Sequence, residues 1–156
     1  MHGQENTTDY SLLTEQAAGI LDAEPWVTAA MSNLSALIAE SLADLNWAGF
    51  YLVRGGQLVV GPFQGKPACI EIPLGKGVCG TAAAEKKTQL VKDVHTFPGH
   101  IACDCASNSE IVVPIFARGE VQAVLDIDSP SFSRFTETDR EGLEAFVRIL
   151  EQAELF

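Results

Sequence analysis

Two kinds of reactive side chain sit in unusual company here. The run His95-Thr-Phe-Pro-Gly-His-Ile-Ala-Cys103-Asp-Cys105-Ala-Ser-Asn-Ser-Glu110 places a cysteine loop just ahead of two apolar segments, 111–116 and 121–128. Glu110 opens the first segment. Asp126 and Asp128 interrupt the second, within Val-Leu-Asp-Ile-Asp, at the two-residue spacing that puts both side chains on one face of a strand. Carboxylates in apolar strands are costly unless a site uses them. Crowded together they raise one another's pKa, so that one stays protonated as an acid while another is charged and holds a cation. The structural alternative is that the strand ends simply reach the surface at these positions.

The other motifs carry less. Gly75-Lys-Gly-Val-Cys-Gly80 matches the glycine pattern of dinucleotide loops. Only about six residues follow it before the chain turns extended, too few for the crossover helix of a Rossmann unit. A tight strand-to-helix turn is the simpler reading, and its backbone N–H groups could still hold a small carboxylate. Cys69, Cys79, Cys103 and Cys105 with His95 and His100 could supply zinc ligands, but the C-x-x-C pairs of structural zinc sites are missing, so no metal is expected. The two histidines flank Pro98-Gly99 and read as surface or hydrogen-bonding groups. Trp47 and Tyr51 point to one face of a strand, as core or as one wall of a pocket. Trp26 reads as a helix-packing residue, and Glu120 and the acids of 137–154 as a solvated surface.

These residues need elements to hold them. Residues up to about 13 or 14 are polar and read as loosely held. Apolar residues at Met31, Leu34, Ile38, Leu42 and Leu45 mark a helix across 26–45, with Pro25 in its first turn. Segments 48–53 and 58–63 around Gly55-Gly56 form a hairpin. A short strand near 69–72, a short helix at 81–85 and a strand at 88–91 follow. Residues 92–109 show no period, which suits a binding loop or lid. A second hairpin turns around Arg118-Gly119-Glu120. Thr138-x-x-Glu141 reads as the capping box of a last helix carrying Leu143, Phe146, Val147 and Leu150. The expected fold is α+β: a central antiparallel sheet of about six strands, with N- and C-terminal helices packed on one face, in one domain spanning 1–156.

Composition bounds the function. With 156 residues, 47% of them hydrophobic, the chain can bury a core without disulfide staples. Ten basic against 21 acidic residues give a net charge of −11, which repels nucleic acids and anionic membrane surfaces. No apolar run is long enough to span a membrane, and the polar, acidic start is unlike a signal peptide, so the cytoplasm is the expected compartment. In that reducing compartment free cysteines are buried, metal-bound or redox-active.

Several ordered blocks resemble one family, the free methionine-(R)-sulfoxide reductases, single-domain enzymes of the GAF fold. They are Asn46-Trp-Ala-Gly-Phe-Tyr51, Gly61-Pro-Phe-Gln-Gly65, Ala68-Cys69, Gly77-Val-Cys-Gly80, Phe97-Pro-Gly-His-Ile-Ala-Cys103-Asp, Ser109-Glu-Ile-Val-Val-Pro114 and Val124-Leu-Asp-Ile-Asp-Ser129. The resemblance implies reduction of the R sulfoxide of free methionine, electrons from thioredoxin, no bound cofactor and a homodimer, and it leaves open whether the reaction serves nutrition or defence against oxidative stress. By position, Cys103 resembles the attacking cysteine, Cys69 the resolving one and Cys79 an accessory or alternative resolving thiol. Glu110, Asp126 and Asp128 match substrate-binding and proton-donating acids, and Trp47 an aromatic packed on the substrate methyl, beside Tyr51. Cys105 departs from the family pattern and could compete as a resolving thiol. The competing function is a sensory GAF domain that binds a small ligand without turnover.

Overall fold

Two hairpins build the centre of the sheet in this computed structural model, which describes residues 7–23, 26–100 and 106–156. Strands β1 (Trp47–Arg54) and β2 (Gln57–Gly65) meet at Gly55-Gly56, whose φ values of 60° and 78° give the two-residue turn that matches the twist of paired strands. Strands β5 (Ser109–Ala117) and β6 (Glu120–Ser129) turn in the same way at Arg118-Gly119, with φ of 54° and 78°. Pairing of β1 with β6 joins the hairpins. The short strands β3 (Glu71–Pro73) and β4 (Gln89–Val91) complete a six-stranded antiparallel sheet in the order β3-β2-β1-β6-β5-β4.

Helices α1 (Tyr10–Ala23), α2 (Val27–Ser41) and α4 (Glu137–Gln152) cover one face; α3 (Gly77–Glu85) lies on the other. Alternation along the strands divides the core accordingly. Phe50, Ile111, Ile115, Leu125 and Ile127 meet Leu13, Met31, Leu34, Ile38, Leu143 and Phe146 beneath the three helices. Each such fully buried side chain contributes about 1.5–3 kcal/mol of hydrophobic stabilisation, so this face carries most of the stability. The opposite face is smaller and holds Trp47, Tyr51, Leu58, Val78, Cys79, Val112 and Val124.

Boundaries differ from the sequence reading in physically simple ways. The segment expected to be loose up to about residue 13 is already helical from Tyr10, with Leu13 1% exposed. The helix expected across 26–45 ends at Ser41, where Leu42 is extended. Trp26 is 74% exposed at the start of α2 and does not pack between helices; Pro25 lies outside the described residues. The capping box of α4 uses Thr136 and Asp139, not Thr138 and Glu141. Asp139, expected on a solvated surface, is buried: it accepts a 2.6 Å hydrogen bond from Tyr10 Oη and pairs with Arg134 at 3.5 Å. The short helix begins at Gly77, earlier than 81, and β3 begins at Glu71, leaving Cys69 in the preceding loop. Among the described residues, no helix is long and apolar enough to cross a membrane.

Candidate active site

Register makes the site. Glu110 pairs with Asp128 across β5 and β6, and Asp126 stands opposite Val112 two residues along. All three acids therefore face the smaller side of the sheet, together with Val112 and Val124. From the neighbouring strand, Trp47 pairs with Asp128 and Tyr51 with Val124, so both aromatic rings project onto the same side, their centroids 5.7 Å apart. The first turn of α3 closes this layer from above. Trp47, Tyr51, Ala68, Lys76, Cys79, His100, Glu110, Asp126 and Asp128 line one cavity.

The acids are out of water: Glu110 is 8% exposed, Asp126 4% and Asp128 9%. Burial, reinforced by the neighbouring Asp126, raises the Glu110 carboxyl well above the ordinary carboxylate range. Asp126 is raised in the same way, by burial first and Asp128 second. Neither Glu110 nor Asp126 forms an ion pair with a lysine or arginine among the described residues. One of the carboxyls can thus be a proton donor at neutral pH, and the pocket attracts a cation.

The cysteines take different positions. Cys79 is free and buried in α3, with Sγ 3.9 Å from Glu110 Oε2; burial and the charges of Asp126 and Glu110 push its thiol up. It is therefore poorly activated as a nucleophile. Cys69 is disulfide-bonded. Cys103 and Cys105 lie outside the described residues.

Sequence reasoning missed how the two aromatics hold the loop that carries Cys69. Trp47 Nε1 donates to the Lys66 carbonyl and Tyr51 Oη to the Cys69 carbonyl, each at 3.2 Å. Gly65, at φ 140°, lies so close to the indole that an added Cβ would stand 2.6 Å from Trp47 Cδ1. Nothing in the spacing of residues 47, 51, 66 and 69 announces these contacts, because they cross a loop. Of the two histidines, His95 is exposed and bonds Asn108 Oδ1 at 2.9 Å, as the sequence suggested. His100 faces the cavity, its pKa lowered by burial and by His95. In the glycine-rich turn, Gly75 N donates to Gly80 O and Gly77 N to Gly99 O. Those two amides are therefore already used within the turn.

A GAF domain model matches residues 28–153. The free methionine-R-sulfoxide reductase of Escherichia coli (strain K12) is 51% identical over 146 residues, 94% of this chain and 88% of that protein. Among solved structures, the reduced form of fRMsr from Staphylococcus aureus superposes with a TM-score of 0.94 at 52% identity, covering 99% of this chain and all (100%) of that one. The free methionine-R-sulfoxide reductase of Neisseria meningitidis, in complex with its substrate, gives 0.90 at 39% identity, covering 98% and 95%. On these matches the chain belongs to the free methionine-R-sulfoxide reductase family of GAF domains.

Proposed function

We propose that this oxidoreductase converts free L-methionine-(R)-S-oxide to L-methionine at the cavity between α3 and the sheet. The observation that carries the reading is the buried triad of Glu110, Asp126 and Asp128 facing two aromatic rings. A free amino acid brings an ammonium group that a methionine within a peptide lacks, and buried carboxylates are its natural counter-ions. Asp126 or Asp128 holds the ammonium, Trp47 packs on the methyl group with Tyr51 beside it, and the amides at the start of α3 receive the carboxylate. Glu110, with its raised pKa, gives a proton toward the sulfoxide oxygen.

Cys103 attacks the sulfoxide sulfur. Oxygen passes to the cysteine, which becomes a sulfenic acid as the sulfoxide is reduced to the thioether. The Cys69 thiol then displaces water from the sulfenic acid to form a disulfide. The disulfide state of Cys69 supports its resolving role, and the burial of Cys79 beside the acids suits an accessory part. Thioredoxin or a similar dithiol regenerates both thiols by exchange. The working protein is a cytoplasmic homodimer that clears oxidised free methionine and needs no bound cofactor.

The test supplies R and S forms of free methionine sulfoxide to wild type and Cys103→Ser with dithiothreitol. R-selective methionine formation, abolished in Cys103→Ser, is expected. Failure of folded, reduced wild type to turn over would transfer the pocket to ligand sensing. Peptide mapping of the oxidised enzyme should find a Cys69–Cys103 bridge; a dominant Cys103–Cys105 bridge would replace Cys69 as the resolving thiol.

A further inference from the structure

The proposed cycle gives one buried sulfur only an accessory part. Cys79 is 4% exposed, is free, and faces the acids from the opposite layer. Its Sγ, a Glu110 carboxylate oxygen and an Asp126 carboxylate oxygen all lie within 4.8 Å of one another. A second feature points into the same space: Asp126 Oδ1 is buried with no hydrogen-bond partner, on a side chain that lines the cavity. We propose that Cys79, Glu110 and Asp126 form an inhibitory site for one soft divalent cation of the zinc type, which occupies the place of the substrate's ammonium group.

The spacing suits such an ion. Bonds of about 2.3 Å to sulfur and 2.0 Å to oxygen at a tetrahedral angle set sulfur and oxygen about 3.5 Å apart. Cys79 Sγ and Glu110 Oε2 stand at 3.9 Å, so a small side-chain rotation closes the pair on a metal. The three ligands come from three different elements: Cys79 from α3, Glu110 from β5 and Asp126 from β6. One thiolate and two carboxylates leave the fourth position toward the cavity. The thiolate favours zinc, cadmium or cobalt over magnesium and calcium, which prefer all-oxygen shells. This donor set shares only Cys79 with the cysteine and histidine grouping weighed from the sequence. It also differs from a resident cofactor, since a filled site excludes substrate. The metal site rests on geometry alone; the competition with methionine sulfoxide rests also on the proposed substrate orientation.

Cobalt(II) is the probe. Reduced protein is titrated with cobalt, and the near-ultraviolet charge-transfer band of a cobalt-bound thiolate is recorded. One equivalent per chain is expected, displaced by zinc and untouched by magnesium. The band should persist in the triple variant Cys69→Ser/Cys103→Ser/Cys105→Ser and vanish in Cys79→Ser. Asp126→Asn, which keeps every thiol, should weaken cobalt binding more than about 100-fold, beyond the cost of losing an outer-shell partner. A band that disappears in the triple variant, or that Asp126→Asn leaves unchanged, would overturn the site. Zinc inhibition of turnover should be competitive with methionine sulfoxide; cobalt binding that substrate does not displace would keep the metal site and overturn the competition. Turnover in chelator-treated buffer separately tests the reductase reading.

Discussion

Glu110 is where burial becomes chemistry. Its folded-state pKa lies above the unfolded value, so the folded protein keeps a proton that the unfolded chain has released. Stability is therefore greatest below the ordinary carboxylate pKa and falls as pH rises toward the raised value, by about 1.4 kcal/mol per pH unit for each carboxyl in that condition. Asp126 adds a loss of the same sign. Urea titrations of ligand-free protein between about pH 5 and 8 should show this decline, and Glu110→Gln should flatten it. If Glu110 is the donor, the same variant should lose about 100-fold in turnover, the lower end of what a positioned acid contributes. Full single-turnover reduction by Glu110→Gln would remove Glu110 from that role. The acids were legible in the sequence because a carboxylate inside an apolar strand is conspicuous by its cost. Asp139 was not: it sits among exposed helix acids, and only its contacts with Tyr10 and Arg134 mark it as buried.

Between residue and fold, β1 supplies both pocket wall and loop anchor. Tyr51→Phe deletes the donor to the Cys69 carbonyl while keeping the ring. Stability should fall by only about 1 kcal/mol. Formation of the first methionine should proceed as in wild type, whereas the following disulfide step should slow; stopped-flow with mass analysis of quenched samples separates the two. Helix α1 makes the opposite kind of contribution, to stability without chemistry. Gly142 in α4 lies directly under the Tyr10 ring, where an added Cβ would collide. Gly142→Ala should cost about 1–3 kcal/mol through overpacking, read by urea unfolding, with activity per folded molecule unchanged. The two hairpins were legible because Gly55-Gly56 and Arg118-Gly119 punctuate long apolar runs. Helix α1 was not, since its buried stripe, Leu13, Ala17 and Leu21, depends on one small alanine and follows a polar start.

Across the whole molecule, the sheet separates two tasks: three helices stabilise one face, and the other hosts the cavity. Hydrogen exchange should therefore be slowest in β1, β6 and the middle of β5, which carry the site, and faster in the edge strands β3 and β4. Rapid exchange at Leu125 and Ile127 would contradict that arrangement. The pairing of β1 with β6 also bears on how the protein is made. Trp47 finds Asp128 only after the second hairpin exists, and Tyr10 finds Asp139 across 129 positions of sequence. On the ribosome, the early helices and first hairpin emerge without the partners that cover their apolar sides. The growing chain thus exposes Cys69 and Cys79 before any pocket protects them, and synthesis under oxidative stress is when these two thiols are most open to oxidation.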